Sequence, residues 1–257
     1  MPTLRSVARR LPPFAADWGF RALKGAAVLP GTARYLRDRQ AYRALPGAEP
    51  LRWRDALPKV GDRVLTSPYD PHYLHQDTWA VQRVAEYRPE RHVDVGSRVE
   101  VPCFLTALTA VTFVDIRPLE ADIEGLESIA GSVLDMPYED RSLPSLSCLH
   151  VTEHIGLGRY GDPLDPMGSR KAMAELQRVL APGGHLLFSM PMGRPRVCFN
   201  AHRIHDPREV RELFGELDVV EFAGVDDEGR FHRHLQPADL ANAAYGCGMF
   251  HFTRPPA

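Results

Sequence analysis

The chain has 257 residues, 44% hydrophobic and 25% charged, with a formal net charge of −2. These values suit one well-buried domain with an appendage and exclude a chain disordered throughout. No apolar run approaches the roughly 18 residues of a membrane span, and the opening residues lack the apolar stretch of a secretory signal, so a cytoplasmic protein is expected.

The net charge hides an asymmetry. Residues 1–60 hold 12 Lys and Arg against 4 Asp and Glu, whereas residues 61–257 hold 19 against 29. Residues 1–60 therefore read as a basic helical N-terminal extension, cut into short helices at Pro12-Pro13, Pro30-Gly31 and Pro46-Gly47. Phe14, Trp18, Phe20, Leu23, Tyr35, Leu36 and Tyr42 give it apolar surface to bury on the acidic body or in a dimer. Its basic surplus could instead meet anionic lipid headgroups, as a peripheral contact at the inner face of a membrane, or another polyanion. An acidic body without an aromatic–basic motif argues against nucleic acid.

From residue 61 strands alternate with helices. Residues 77–87 carry apolar side chains at helical spacing, with Asp77 as N-cap. Residues 92–95 form a short strand ended by Gly96, and a helix follows over 99–109. Residues 111–115 are a β-branched strand ending in an acid; 128–133 is a weaker strand and 145–151 a fourth. Residues 166–180 read as an amphipathic helix stopped by Pro182-Gly183-Gly184, before a fifth strand at 185–190. A helix at 207–213 and strands at 217–222 and 248–253 close the chain. The alternation predicts an α/β fold over 61–257: a doubly wound, mostly parallel, Rossmann-like sheet with helices on both faces. The closing elements could include an antiparallel edge. Cys103, Cys148, Cys198 and Cys247 are too far apart for a zinc pattern or a disulfide framework, and three lie in apolar runs, as buried thiols do.

Ligands of such sheets sit at the carboxyl ends of the strands, near the point where strand order reverses. Asp94 and Gly96 end the first strand, Asp115 ends the second, 19 residues after Gly96, and Asp135 follows the third in Leu134-Asp135-Met136-Pro137. Asp115 can accept bonds from both hydroxyls of a ribose. Asp135 can accept from an exocyclic adenine amine, with Leu134 and Met136 as apolar walls. Singly, each acid is an ordinary cap or surface residue; their order at successive strand ends points to a nucleoside pocket.

VDVGSR at 93–98, VTFVDIRPLE at 111–120, GSVLDMPYEDRSLPSLSCLHVTEHIG at 131–156 and AMAELQRVLAPGGHLLFSMP at 172–191 together resemble class I S-adenosylmethionine-dependent methyltransferases. More narrowly, the EHIGLGRYGDPLDP loop with the helix and Pro-Gly-Gly turn after it, and the later FNAHRI, are similar to a methyltransferase-like family of unknown function whose members often occur beside glycan-biosynthesis genes. The likeness spans about residues 70–255 and leaves out the basic extension. It implies a transferase using S-adenosyl-L-methionine. It also implies Asp94, Gly96 and Ser97 near the amino-acid end of the cofactor, Asp115 at its ribose, and Asp135 with Met136 at its adenine. His150, Glu153 and His154 fall just after the fourth strand, where the superfamily places groups facing the methyl donor. The second glycine of the family's first motif is Arg98 here. Arg98 could swing away, meet the methionine carboxylate, or fill the pocket.

Methyl transfer from an activated sulfonium asks the protein to position the acceptor and, if that is a hydroxyl, to take its proton. A neutral histidine suits the task near pH 7. His154 is the expected base, with Glu153 orienting it or serving as the base itself. The glycine- and proline-rich loop 156–166 is the expected acceptor wall, where Arg159, Tyr160 and Asp162 would meet a sugar-containing or other small hydroxylated acceptor. Asp165 reads as a helix cap before Pro166. Asn200, His202 and Arg203 are expected at the same mouth, and Arg203 or Arg196 could hold a phosphate of a nucleotide- or lipid-linked sugar.

Two other readings remain. One is a noncatalytic binding or scaffold protein that has lost cofactor affinity, to which Arg98 points. The other is a metal-dependent enzyme using the pairs His72/His75, His202/His205 and His232/His234. None forms an H-E-x-x-H motif, and no residue is expected as a metal ligand. A nicotinamide dehydrogenase is disfavoured because no G-x-G-x-x-G follows the first strand.

Overall fold

The apolar and β-branched runs form strands that stack into one sheet. The computed structural model describes residues 30–256, and contacts divide the chain into two units, with the boundary after Pro68.

In the first unit residues 30–43 are helical and Trp53–Asp55 form a 3-10 turn. Pro30 and Gly31 open this helix, and whether they separate it from another lies outside the described residues. The run ends before Pro46-Gly47, where Gly47 takes a φ of +82°. Arg39 is buried; its guanidinium donates to Leu51 O at 2.8 Å and lies 4.1 Å over the Trp53 ring. Arg34 donates to Val60 O. These two arginines fasten the segment around 50–60 to the helix. Leu36 and Tyr42 are exposed and Tyr35 is half-buried. Pro12-Pro13, Phe14, Trp18, Phe20 and Leu23 lie outside the described residues.

The second unit is an α/β sheet of eight strands. These are β1 (Arg91–Val95), β2 (Ala110–Asp115), β3 (Leu126–Ala130), β4 (Leu143–Leu149), β5 (Leu180–Met192), β8 (Asp218–Val225), β9 (Phe231–His232) and β10 (Gly246–Thr253). Their order is β3-β2-β1-β4-β5-β10-β8-β9. The first five pair in parallel, and β10 runs antiparallel between β5 and β8. The closing strands do form an antiparallel edge, with the last strand, β10, inside it and the short β9 outermost, antiparallel to β8. A separate hairpin of β6 (Arg196–Cys198) and β7 (His202–Ile204) was not legible as strands.

Helices α1 (Pro71–Tyr87), α2 (Glu100–Leu105), α3 (Gly168–Val179), α4 (Pro207–Leu213) and α5 (Pro237–Leu240) complete the unit. Asp77 is not the N-cap of α1. Asp70 is, accepting from His72 N at 2.9 Å and Tyr73 N at 3.4 Å, with Pro71 at the first helical position, where its missing N–H costs nothing. Asp77 sits inside the helix and accepts from Gln76 Nε2.

Two apolar cores cover the two faces. Met173, Leu176 and Phe214 pack with Phe188, Phe250 and Phe252 in one. Trp79, Val84, Val101 and Leu105 pack with Leu187 and Met249 in the other. Successive residues of β5 serve opposite cores, which is why a doubly covered strand reads as a continuous apolar run. Cys148 and Cys247 are buried, Cys103 and Cys198 are half-buried, and all four are free. No described helix is long and apolar enough to cross a membrane.

Pro182-Gly183-Gly184 does end the helix, yet it lies within β5, tied by Gly183 N to Arg254 O and Arg254 N to Gly184 O. The Arg254 side chain, buried at 5% exposure, donates to Gln177 O at the end of α3, to Leu180 O at 2.8 Å and to Glu216 at 2.7 Å. It satisfies carbonyls that a helix end leaves without partners. Arg254→Met keeps the buried stem and removes these bonds. It should lower stability by about 1–3 kcal/mol in urea unfolding; an unchanged midpoint would show that the bonds are idle.

Candidate functional site

The strand order reverses between β1 and β4, so the loops after β1, β2 and β4 splay around one crevice. A cavity of about 590 Å³ lies there, walled by Gly96, Ser97, Asp115, Arg117, His150 and Tyr160. A second space of about 340 Å³ shares Gly96, Asp115, His150, His154 and Tyr160 with it and extends to Ser132, Val133 and Leu134. Both volumes fall in the usual range for a ligand cleft, about 300–1,000 Å³.

The end of β1 is built by a buried polar chain. Tyr87 Oη is 3.2 Å from Ser145 Oγ, which is 2.5 Å from His92 Nδ1. His92 Nε2 is 2.8 Å from Ser147 Oγ, and the Ser147 hydroxyl donates to Asp94 Oδ2. Because Ser147 gives its proton to the carboxylate, it accepts from His92 Nε2–H, which leaves Nδ1 to accept from Ser145. Asp94 also accepts from Ser97 N at 3.2 Å and Ser97 Oγ at 2.8 Å, while Ser97 Oγ accepts from Leu149 N. Burial raises the Asp94 pKa to about 7 against the opposing pull of Ser147 and Ser97. Burial likewise holds His92 neutral, its pKa pushed down to about 3. Asp94 is thus fully enclosed and shapes the loop from behind, while Gly96 and Ser97 reach the cavity.

Gly96 has a φ of +64°, and a Cβ there would come within 3.2 Å of Val151 and 3.5 Å of Asp115 Oδ2. A side chain would fill the gap between the ends of β1, β2 and β4, so glycine keeps it open. Asp115 accepts from Arg117 N through Oδ1 at 2.7 Å and presents Oδ2 beside Gly96. Arg98 does not close the cavity. Its guanidinium pairs with Glu100 at 3.0 Å and lies 4.9 Å over the Tyr73 ring, at the outer wall.

The third acid falls elsewhere. Asp135 is exposed, and Met136 is a core residue whose N–H donates to Glu175 at 2.7 Å. Ser132, Val133 and Leu134 form that wall instead, because the turn after β3 carries the chain past the cavity before residue 135.

After β4, His150 takes a φ of +56° and a 3-10 turn, Thr152–His154, brings His154 back to the cavity. Glu153 is fully buried behind both histidines, 2.9 Å from His150 Nδ1 and 3.7 Å from His154 Nε2. Neither Glu153 oxygen has an aligned hydrogen bond among the described residues. Burial disfavours both charges, but for His150 the neighbouring Cys247 and Glu153 outweigh it and hold the pKa well above the ordinary value. Glu153 is held low by His150 despite its burial. His154 is different: burial pushes its pKa below the ordinary value, so it is neutral near pH 7. Its Nδ1 lies 2.6 Å from Ala201 O, which can only accept, so Nδ1 carries the proton and Nε2 the lone pair.

The loop 156–166 and the β6–β7 hairpin use several expected substrate contacts to hold themselves together. Asp162 accepts from Gly156 N at 2.6 Å and Tyr160 N at 3.3 Å. Arg203 is buried and donates to Ile155 O at 2.5 Å and Asp165 O at 3.1 Å, so it is not a free phosphate grip. Arg196 is committed to Arg194 O and Ala244 O. Asn200 has a φ of +59° in the hairpin turn and donates to Leu157 O, and His202 lies 5.2 Å from the Tyr245 ring. Asp165 accepts from Met167 N and pairs with Lys171 just before α3, but it is not the cap the sequence suggested: Met167 is the N-cap and Gly168 begins the helix, so Pro166 lies outside it. Arg159 donates to Ala201 O and lies 5.0 Å over Tyr160. Of this set Tyr160 and Asp162 border the cavity. Tyr73 and Arg117 were missed as lining residues. Tyr73 lies in the unrecognised first turns of α1, and Arg117, 4.4 Å over Tyr160, sits two residues past the acid that drew attention.

Comparisons with known proteins agree with this geometry at the level of the fold. A putative sarcosine dimethylglycine methyltransferase from Galdieria sulphuraria superposes with a TM-score of 0.51 at 15% identity, over 72% of this chain and 87% of that one. The N-methyltransferase NodS from Bradyrhizobium japonicum WM9, in complex with S-adenosyl-L-homocysteine, gives 0.50 at 16% identity, over 85% and 97%. The fold is methyltransferase-like. The [4+2]-cyclase SpnF also shares it, with a TM-score of 0.50 at 15% identity over 70% and 81%, so chemistry must be argued from the residues. Residues 137–240 match the model of a family described as a Caenorhabditis protein of unknown function, DUF268. No curated protein matches the chain.

The raised pKa of Asp94 has a thermodynamic consequence. The folded chain holds a proton that the unfolded chain, with a pKa near 3.8, releases earlier, so stability from this group is present below about pH 4 and is lost as pH rises to about 7. Asp94→Asn removes this dependence. The stability difference between variant and parent should move toward the variant by up to about 4 kcal/mol between pH 4 and pH 8 in urea unfolding. A difference that does not change with pH would refute the assignment.

Proposed function

We propose that the chain is an S-adenosylmethionine-dependent methyltransferase acting on a hydroxyl of a small, sugar-containing or similarly hydroxylated acceptor. One observation carries the reading. A single crevice combines a glycine kept bare for close approach, an acid at the end of β2, and a neutral histidine whose proton is already committed.

Asp115 would accept from the ribose hydroxyls, Gly96 and Ser97 would face the amino-acid end, and Val133 with Leu134 would flank the adenine. When bound, the cofactor supplies a methyl group on a good leaving group. The chain's own task is then to orient the acceptor and take its proton. His154 Nε2 carries the lone pair for that, with the Arg159 guanidinium 3.4 Å away as the donor an acceptor hydroxyl would displace, and buried Glu153 balances the imidazolium that forms. Tyr160 and Tyr73 line the cavity beside the acceptor, each with an arginine over its ring. Arg117, also at the wall, lies 3.6 Å from Asp115 and over the Tyr160 ring, where its remaining N–H groups would meet an anionic group on the acceptor.

Calorimetry with S-adenosylmethionine or S-adenosylhomocysteine tests the pocket. Binding is expected, and Asp115→Ala should weaken it by about 1–3 kcal/mol; absence of heat at millimolar ligand would overturn the proposal. His154→Ala should leave cofactor affinity intact and cut turnover on a panel of glycosides by about 10²-fold or more. A loss smaller than tenfold would demote His154 to a lining residue.

A further inference from the structure

We propose that His72, His150 and Cys247 form a mononuclear metal site of the zinc class. The inference stands apart from the methyltransferase reading and can hold or fail without it.

The three residues come from distant parts of the chain. His72 is in the first turn of α1, His150 follows β4, and Cys247 is in β10. One ligand atom from each lies within 4.8 Å of the others. His150 Nε2 is 3.3 Å from Cys247 Sγ. A tetrahedral zinc ion with Zn–N near 2.1 Å and Zn–S near 2.3 Å sets its nitrogen and sulfur ligands about 3.5 Å apart. The two atoms stand a few tenths of an ångström inside the separation such an ion imposes.

The surroundings supply a second, independent observation. His150 Nδ1 sits 2.9 Å from Glu153 Oε1. A carboxylate behind the far nitrogen is the outer-shell partner that fixes a ligating imidazole with its other nitrogen toward the metal. Glu153 is fully buried, and neither oxygen has an aligned hydrogen bond among the described residues. A buried anion of that kind calls for a nearby cation, which either a protonated His150 or an ion bound to its other nitrogen supplies. The His72 ring is stacked 5.0 Å from Tyr245, which sets its plane.

Imidazole and thiolate donors select zinc-like ions over magnesium or calcium. Three protein ligands leave a fourth position for water or an acceptor oxygen. Cys247, His150 and Glu153 also have the order of a nucleophilic triad, but Cys247 is fully buried and that reading gives His72 no part. The histidine pairs seen in the sequence do not converge. His75 stacks on Phe231, His205 meets Ser169 and Glu209, and His232 meets Asp226.

The test uses the full chain, stripped with a chelator and titrated with cobalt(II). Binding of one ion per chain is expected, with a thiolate-to-cobalt charge-transfer band, tetrahedral d–d bands, and displacement by zinc. Cys247→Ser should abolish the charge-transfer band. His72→Ala and Glu153→Gln should each weaken binding at least about tenfold, while the exposed His234→Ala should change nothing. Zinc should raise the melting temperature of the parent and not of His72→Ala, with circular dichroism confirming that the variant is folded. No stoichiometric binding, a band that survives Cys247→Ser, or equal affinity in His72→Ala would overturn the proposal. So would rapid alkylation of Cys247 in a chain that takes up no cobalt, which would assign the triad instead.

Discussion

The site depends on how β1 satisfies its polar groups where water cannot reach. β1 lies between β2 and β4, covered on both faces beyond its exposed first residue, so its buried polar side chains must find partners inside. His92 and Asp94 find theirs in Ser145 and Ser147 of β4. The bonds that satisfy them also fix the end of β1 against the end of β4. Ser97 extends the connection from Asp94 to Leu149 N. Gly96 and His150, one after each strand, are held at the mouth by backbone bonds to Val114 O and Ser189 O beside this network.

A second buried acid organises the opposite wall. Glu153 stands between His150 and His154 and treats them differently. Close to His150, it favours the charged or metal-bound ring. Farther from His154, it does not overcome burial, and that ring remains neutral with a lone pair available. One carboxylate thus separates two neighbouring histidines into two chemical characters, which a symmetric placement would not do.

The wall beyond them owes its shape to side chains that bond the loop's own backbone. Gly156 has a φ of +79°, and a Cβ there would come within 2.1 Å of Asp165 O, so the loop can fold back on the start of α3 only with glycine at this point. Arg203 and Asp162 bind the loop's own carbonyls and amides. Polar residues that sequence order places near a mouth are as often the frame of that mouth, because irregular backbone must have its hydrogen bonds met locally.

The sequence by itself determined the alternation of strands and helices, the helix at 207–213, and the placing of Gly96 and Asp115 at strand ends and of His154 shortly after β4. Those features rest on local rules: side-chain periodicity, turn residues, and acids at the ends of apolar runs. The start of α1 was misread because Asp77 has the chemistry of a cap as much as Asp70 does, and only the backbone decides between them. Tertiary structure alone decided that β10 is internal, that Asp135 and Met136 miss the cavity, that Arg98 turns to Glu100 and Tyr73, and that Cys247 reaches His150 across 97 positions. Such outcomes depend on which distant surfaces pack together, and periodicity along one segment carries no record of its partner.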